Sequence, residues 1–379
     1  MRERLRRIVR AVYARLPKLP VAVLWGWPDY EDSVLALEQA LQRAPVRRVI
    51  LLMTDPSAPP PEPLGPKTRR VRKDGPPGWL WFLVARYVLF THRCFLRDFP
   101  SSVVSVNVWH GMPLKRIEAL VEPGAGIRAT WVLATGEMWA PIMEGCMGEG
   151  SRALVSGLPR NDRLLLDPGP VRAALDLAGR DDVDRIVVWL PTFRRSVRGY
   201  LTEDGAPTGS PFELDVDVAA LEAFLAEHRT FLVVKPHPMA AFAGEERGRN
   251  LLVLDSAALL AKGLSLYRLL AASDVLVSDV SSVTVDYLLV DRPIVHAMAD
   301  LDAYRETRGF TVDRIEDMFM GPVVTTTDEL LGALAPLLRG EDPHAEQRRA
   351  VRDRCHAHVD GRATERVLDA IGLSPADAG

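Results

Sequence analysis

The 379-residue chain is 47% hydrophobic and 26% charged with three cysteines, enough for a large core over two domains and unlike a disordered, collagen-like or disulfide-stapled protein. Cys94, Cys146 and Cys355 are scattered without CxxC spacing, so a cytosolic setting is expected and a structural zinc site is not. The net charge of -3 conceals an asymmetry, because residues 1–100 hold 18 Lys+Arg against 9 Asp+Glu and the remainder 29 against 41. A basic first quarter suits an anionic partner, whether nucleic acid, a lipid surface or a phosphorylated acceptor, with an unevenly charged surface as the plain alternative.

In chain order, residues 2–16 place Leu5, Ile8, Val9, Val12, Tyr13 and Leu16 at helical spacing, with Arg2, Arg4, Arg6, Arg7, Arg10 and Arg15 elsewhere. This is a basic amphipathic helix ending at Pro17, able to lie on an anionic membrane or to pack on its own domain. The apolar run behind it is broken by Gly26 and Pro28, so no export signal is expected. Short β-branched runs follow at 21–25, 48–53, 87–91, 103–108, 130–134 and 153–156, each leading into a polar turn and a helical pattern. Such alternation predicts parallel strands with crossover helices. Residues 55–66, rich in proline, and the basic cluster Lys67, Arg69, Arg70, Arg72 and Lys73 are expected to form an exposed loop. The apolar run with Trp79, Trp81, Phe82 and Tyr87 is interrupted by Arg86 and falls well short of the roughly 20 residues that span a bilayer.

Across 167–184 the sequence turns to Asp, Pro and Gly, and the strand rhythm then restarts at 186–190, 231–234, 251–254, 275–278 and 294–296. The expected organisation is a basic helix over 1–20, Rossmann-like domains over 21–170 and 183–343 with parallel sheets facing an interdomain cleft, and a helical segment over 344–379. His356 and His358 in that last segment stand two apart and do not share a helix face, so no metal site is read there.

No GxGxxG follows a strand, and GxxxxGK[ST] and HExxH are missing, which disfavours dinucleotide oxidoreductases, P-loop enzymes and zinc hydrolases. No cofactor is expected. Four strand ends instead carry chemistry. Strand 275–278 runs into Asp279, Val280, Ser281 and Ser282 before an apolar helix, a place for a phosphate or for simple N-capping. Strand 231–234 ends in Lys235-Pro236-His237-Pro238, and 186–190 in Pro191-Thr192-Phe193-Arg194, where cations can meet phosphate oxygens. Strand 103–108 ends in Trp109-His110-Gly111-Met112-Pro113-Leu114-Lys115, and a neutral imidazole there could take a proton from a hydroxyl.

In this order the motifs resemble the CDP-glycerol glycerophosphotransferase family, the teichoic-acid primases and polymerases with a GT-B fold. The resemblance adds Gly157-Leu158-Pro159-Arg160-Asn161-Asp162, Asp286-Tyr287, Asp291-Arg292-Pro293, Arg308-Gly309-Phe310 and Gly321-Pro322. Met112 stands where the family usually has Thr, and Val280 where Tyr is common. The resemblance implies transfer of a polyol phosphate, typically sn-glycerol 3-phosphate, from CDP-glycerol or a related CDP-polyol to a hydroxyl of a lipid-linked acceptor, with release of CMP.

On that resemblance the first domain is the acceptor side and the second binds the donor. His110 and His237 are the catalytic candidates. Arg194, Lys235, Ser281, Ser282, Asp279 and Thr192 would hold the donor and its phosphates, and Trp109, Gly111 and Lys115 would face the acceptor. A location peripheral to the inner face of the cell membrane follows, with Arg4, Arg7, Arg10, Trp79 and Trp81 as contacts. No nucleic-acid partner is expected, since RNP, KH and helix-turn-helix signatures are missing. A GT-B glycosyltransferase using a nucleotide sugar, or a catalytically silent nucleotide-binding member, would share most of these features.

Overall fold

The computed structural model describes residues 10–148, 150–191, 212, 214, 216–237, 242–298, 301 and 309–374. The chain divides into two compact units: Met1–Met112, Ile117–Arg163 and Cys355–Gly379 in one, Pro113–Arg116 and Leu164–Arg354 in the other.

The first unit is built on seven strands: β1 (Leu19–Trp25), β2 (Arg48–Met53), β3 (Thr68–Arg72), β4 (Ala85–Phe90), β5 (Val104–Asn107), β6 (Trp131–Ala134) and β7 (Ala153–Val155). They pair in the order β3-β2-β1-β4-β5-β6-β7, every neighbour parallel. Strands covered on both faces must be apolar throughout, and Val21, Ala22, Val23 and Leu24 are all at most 2% exposed. Tyr13, from the helical residues 10–15, packs into the same core against Phe82. The exposed loop expected over the basic cluster is instead the edge strand β3, with Val71 buried and Arg69, Arg70 and Arg72 outward. A run with one apolar residue hides its period of two, and an edge strand tolerates the charges.

The second unit repeats the plan with β8 (Arg185–Leu190), β9 (Thr230–Val234), β10 (Glu245–Arg247), β11 (Leu251–Leu254), β12 (Val275–Ser278), β13 (Ile294–Ala297) and β14 (Val323–Val324). The order is β10-β11-β9-β8-β12-β13-β14, parallel except for the β10–β11 edge pair. Helices Val218–Glu227 and Thr327–Leu338 lay Leu221, Leu225, Leu330, Leu334 and Leu337 on this sheet's core, each buried side chain contributing roughly 1.5–3 kcal/mol. Their first turns are closed by Asp217 and Thr326, which accept backbone N–H bonds; such caps are worth about 1 kcal/mol.

Near the C-terminus, helix Ala345–Cys355 holds the buried Arg348 against Asp291 at 3.1 Å and Asp342 at 2.7 Å. Helix Ala363–Ala370 returns to the first unit, where the Asp162 carboxylate accepts the N–H groups of Ala363 and Thr364.

Candidate functional site

Each sheet has a switch point where successive strands diverge to opposite sides, β1/β4 in the first unit and β8/β12 in the second. Ligands of open α/β sheets bind at the C-terminal strand ends there.

In the first unit Trp25, Phe90 and Asn107 stand in register across β1, β4 and β5. The residues just beyond them therefore emerge side by side: Trp27, Thr91-His92 and Trp109-His110. The Trp27 N–H donates to Thr91 Oγ1 at 3.1 Å, and the Trp109 N–H to Asn107 Oδ1 at 3.2 Å. Trp109 has φ 57° and Gly111 φ 124°. A tryptophan in the left-handed region is strained, and such strain gathers where a side chain must be aimed; Gly111 accepts its φ at little steric cost. The turn sets His110 against Trp109, ring centroids 4.2 Å apart, and 5.5 Å from His92.

His110 Nδ1 lies 3.3 Å from the Thr91 carbonyl. A carbonyl can only accept, so Nδ1 carries the proton and Nε2 keeps its lone pair. Burial pushes the imidazole down to about 3, helped by His92 and Arg160 and opposed by the Thr91 bond. His92 is likewise held down to about 4 by burial and Arg93. Both rings are neutral at physiological pH, which is the form that removes a proton.

The segment after β7 returns towards the helix Asp32–Leu41 that follows β1. There Arg160 comes to 3.8 Å from Glu31, and Arg163 to 2.8 Å from both Asp32 and Glu62. Glu31 caps that helix by accepting the Ser33 and Val34 N–H groups. The helix N-terminus, a common anion site in this topology, is thus closed by the chain's own carboxylate, whose pKa burial raises to about 7 against the pull of Arg160.

In the second unit Lys235 follows β9, its N–H bonded to the Trp189 carbonyl at 2.9 Å, and is only 6% exposed. Its Nζ lies 3.4 Å from the Pro236 carbonyl, and His237 beside it is half-buried. Ser278 closes β12 by donating to the Leu190 carbonyl at 2.9 Å, and the buried Asp279 follows. Ser281 caps the helix Ser282–Tyr287, accepting the Val283 N–H at 3.5 Å, so the N-capping expected as one alternative is present. His296, opposite Ser278 on β13, accepts the Met320 N–H at 3.1 Å. Burial lowers it to about 4 against the raising influence of Asp279.

Thr192, Arg194, Arg4 and Arg7 lie outside the described residues. Lys115 belongs to the second unit, where it bridges Phe310. Arg10 is ion-paired with Asp98. Trp79 stacks on Phe95 and is 36% exposed, Trp81 packs against the core, and Leu80 between them is 60% exposed. Met112 is fully buried. His92 and His296, which are not among the expected site residues, also stand at strand ends, after β4 and within β13. Among the described residues no group of three or more His, Cys, Asp or Glu side chains is placed to hold a metal ion, and no helix is long and apolar enough to cross a membrane.

The model of the family described as CDP-Glycerol:Poly(glycerophosphate) glycerophosphotransferase matches residues 21–373. The teichoic acid poly(glycerol phosphate) polymerase of Bacillus subtilis (strain 168) is 26% identical over 265 residues, 62% of this chain and 32% of that protein. The teichoic acid glycerol-phosphate transferase of Staphylococcus aureus is 24% identical over 300 residues, 70% of each. This chain thus matches about a third of the length of the Bacillus polymerase. A solved structure of a variant of the wall teichoic acid polymerase TagF, soaked with CDPG, aligns with a TM-score of 0.76 at 21% identity, covering 98% of this chain and 96% of that one. The likeness shows the fold, a GT-B-like pair of Rossmann-type α/β units.

Proposed function

The chain belongs to the CDP-glycerol:poly(glycerophosphate) glycerophosphotransferase family, and from that premise we propose that it transfers a polyol phosphate, sn-glycerol 3-phosphate first among them, from a CDP-activated donor to a hydroxyl acceptor in teichoic-acid-like or capsular polymer synthesis. The observation that carries the reading is His110, whose Nδ1 lies against the Thr91 carbonyl, which puts the ring proton on Nδ1 and the basic lone pair on Nε2. The acceptor hydroxyl oxygen attacks the polyol-bearing phosphorus and its proton passes to Nε2. The bond from that phosphorus to the bridging oxygen breaks, and CMP leaves with the electron pair.

Phosphoryl transfer asks mainly for positioning and charge stabilisation. Lys235, His237, Ser281 and Ser282 are assigned to the donor pyrophosphate, together with Thr192 and Arg194 from outside the described residues. Asp279 is assigned to the ordering of that turn. Trp109 and Gly111 are assigned to the acceptor side. The acceptor is assigned to a lipid anchor at the inner membrane face, met by Arg4, Arg7, Arg10, Trp79, Trp81 and the exposed Leu80.

The test is CMP release from CDP-glycerol by the purified chain, with and without a lipid-linked acceptor. Acceptor-dependent CMP supports the reading. A nucleoside diphosphate released from a nucleotide sugar replaces it with glycosyl transfer, and nucleotide binding without turnover replaces it with a silent member.

A further inference from the structure

His92 stands in the middle of a row of rings at the first unit's switch point. Its ring centroid lies 5.9 Å from Trp27, 5.8 Å from Trp109 and 5.5 Å from His110. Three adjacent strands, β1, β4 and β5, deliver these residues just past their last paired positions. Nδ1 of His92 is buried without a hydrogen-bond partner. A half-buried imidazole with that nitrogen unpartnered, beside the base, has the composition of a ligand contact rather than of a packing residue.

We propose that His92 recognises the acceptor, hydrogen-bonding through Nε2 the hydroxyl adjacent to the one that gives its proton to His110, so that the site selects a polyol ending in a vicinal diol. This rests on the transferase reading above. An imidazole nitrogen meets a hydroxyl oxygen at about 2.8 Å, so two rings 5.5 Å apart can engage neighbouring hydroxyls of one small polyol. The faces of Trp27 and Trp109 offer apolar contact to its C–H groups. The neutral state of His92 leaves one nitrogen to accept and one to donate, which suits a hydroxyl partner better than a cation would. Discrimination follows because an analogue lacking the second hydroxyl leaves this nitrogen unpaired in a partly dry site.

The experiment uses the full chain and two soluble probes: glyceryl methyl phosphate, which ends in a vicinal diol, and hydroxypropyl methyl phosphate, which keeps only the terminal hydroxyl. Binding is followed by titration calorimetry, and CMP release from CDP-glycerol is measured with each probe as acceptor. Wild type is expected to bind the diol about tenfold more tightly. His92→Phe, which keeps a ring between Trp27 and Trp109, is expected to bind both alike, and His92→Gln to recover part of the preference. Equal affinity in wild type, no binding of either probe, or a preference that survives His92→Phe overturns the proposal. If wild type prefers the diol yet releases no CMP, the transferase reading fails while the role of His92 as a diol contact stands.

Discussion

At the end of β5 the first unit presents His110 beside His92 and two tryptophans, whereas at the end of β9 the second presents a buried lysine followed by a proline, with Ser281 at a helix N-terminus across the switch point. Both edges are C-terminal strand ends beside the switch points of seven-stranded, mostly parallel sheets. Topology therefore fixes only where side chains emerge, and the first three residues beyond each strand decide which chemistry is loaded there. The imidazole edge is kept uncharged by burial, which suits a hydroxyl. The other edge gathers cation, hydroxyl and backbone N–H groups, which suit phosphate oxygens.

That contrast makes the two edges fail differently. The largest effect is expected from His110→Ala, which should lower the rate of acceptor-dependent CMP release by about 10²–10⁴-fold, read by single-turnover kinetics, with donor affinity unchanged. Next comes Arg163→Met. Arg163 is 2% exposed and serves both Asp32 and Glu62, so its loss should cost roughly 3–5 kcal/mol in urea unfolding by stranding the buried Asp32. Lys235→Ala should raise the donor KM by about 10–100-fold with a smaller change in kcat. A pure kcat defect in that variant would erase the distinction between the edges.

A smaller effect is expected with pH. His92, His110 and His296 are held at about 4, 3 and 4, below the ordinary 6.5, so from pH 6.5 down to about 5 the unfolded chain binds protons that these native sites refuse. Stability present above pH 6.5 is then lost on acidification. Glu31, raised to about 7, takes up one proton on folding in the same range and opposes them. The net of three against one lowers stability by about 1 kcal/mol per pH unit for each unmatched proton, visible as a falling melting temperature between pH 6.5 and 5. The same depression predicts that kcat/KM keeps no acid limb near 6.5 from His110.

Much of this was readable in the sequence because buried parallel strands are continuous apolar runs. Residues 48–53, 251–254 and 275–278 are strands over the same residues in the structure, and His110, Lys235 and Ser281 stand at the strand and helix ends where the reading put them. Less regular elements were hidden for physical reasons. β3 carries three arginines and one buried valine, β10 is Glu-Glu-Arg, and β14 has two residues, none of which shows a period. Glu31 and Arg160 lie far apart in sequence and meet only through the return of the chain after β7. His92 carries the same local signal as His110, an imidazole after an apolar run, but between Thr91 and Arg93 it has no glycine or proline to mark a shaped turn.

The arginines of β3 have one more effect. Arg69, Arg70 and Arg72 fringe the outer edge of the first sheet, where unpaired backbone groups would otherwise template the addition of a foreign strand. Like charges on two such edges repel one another, so the chain should stay colloidally dispersed at low ionic strength and be most prone to self-association when salt screens that fringe.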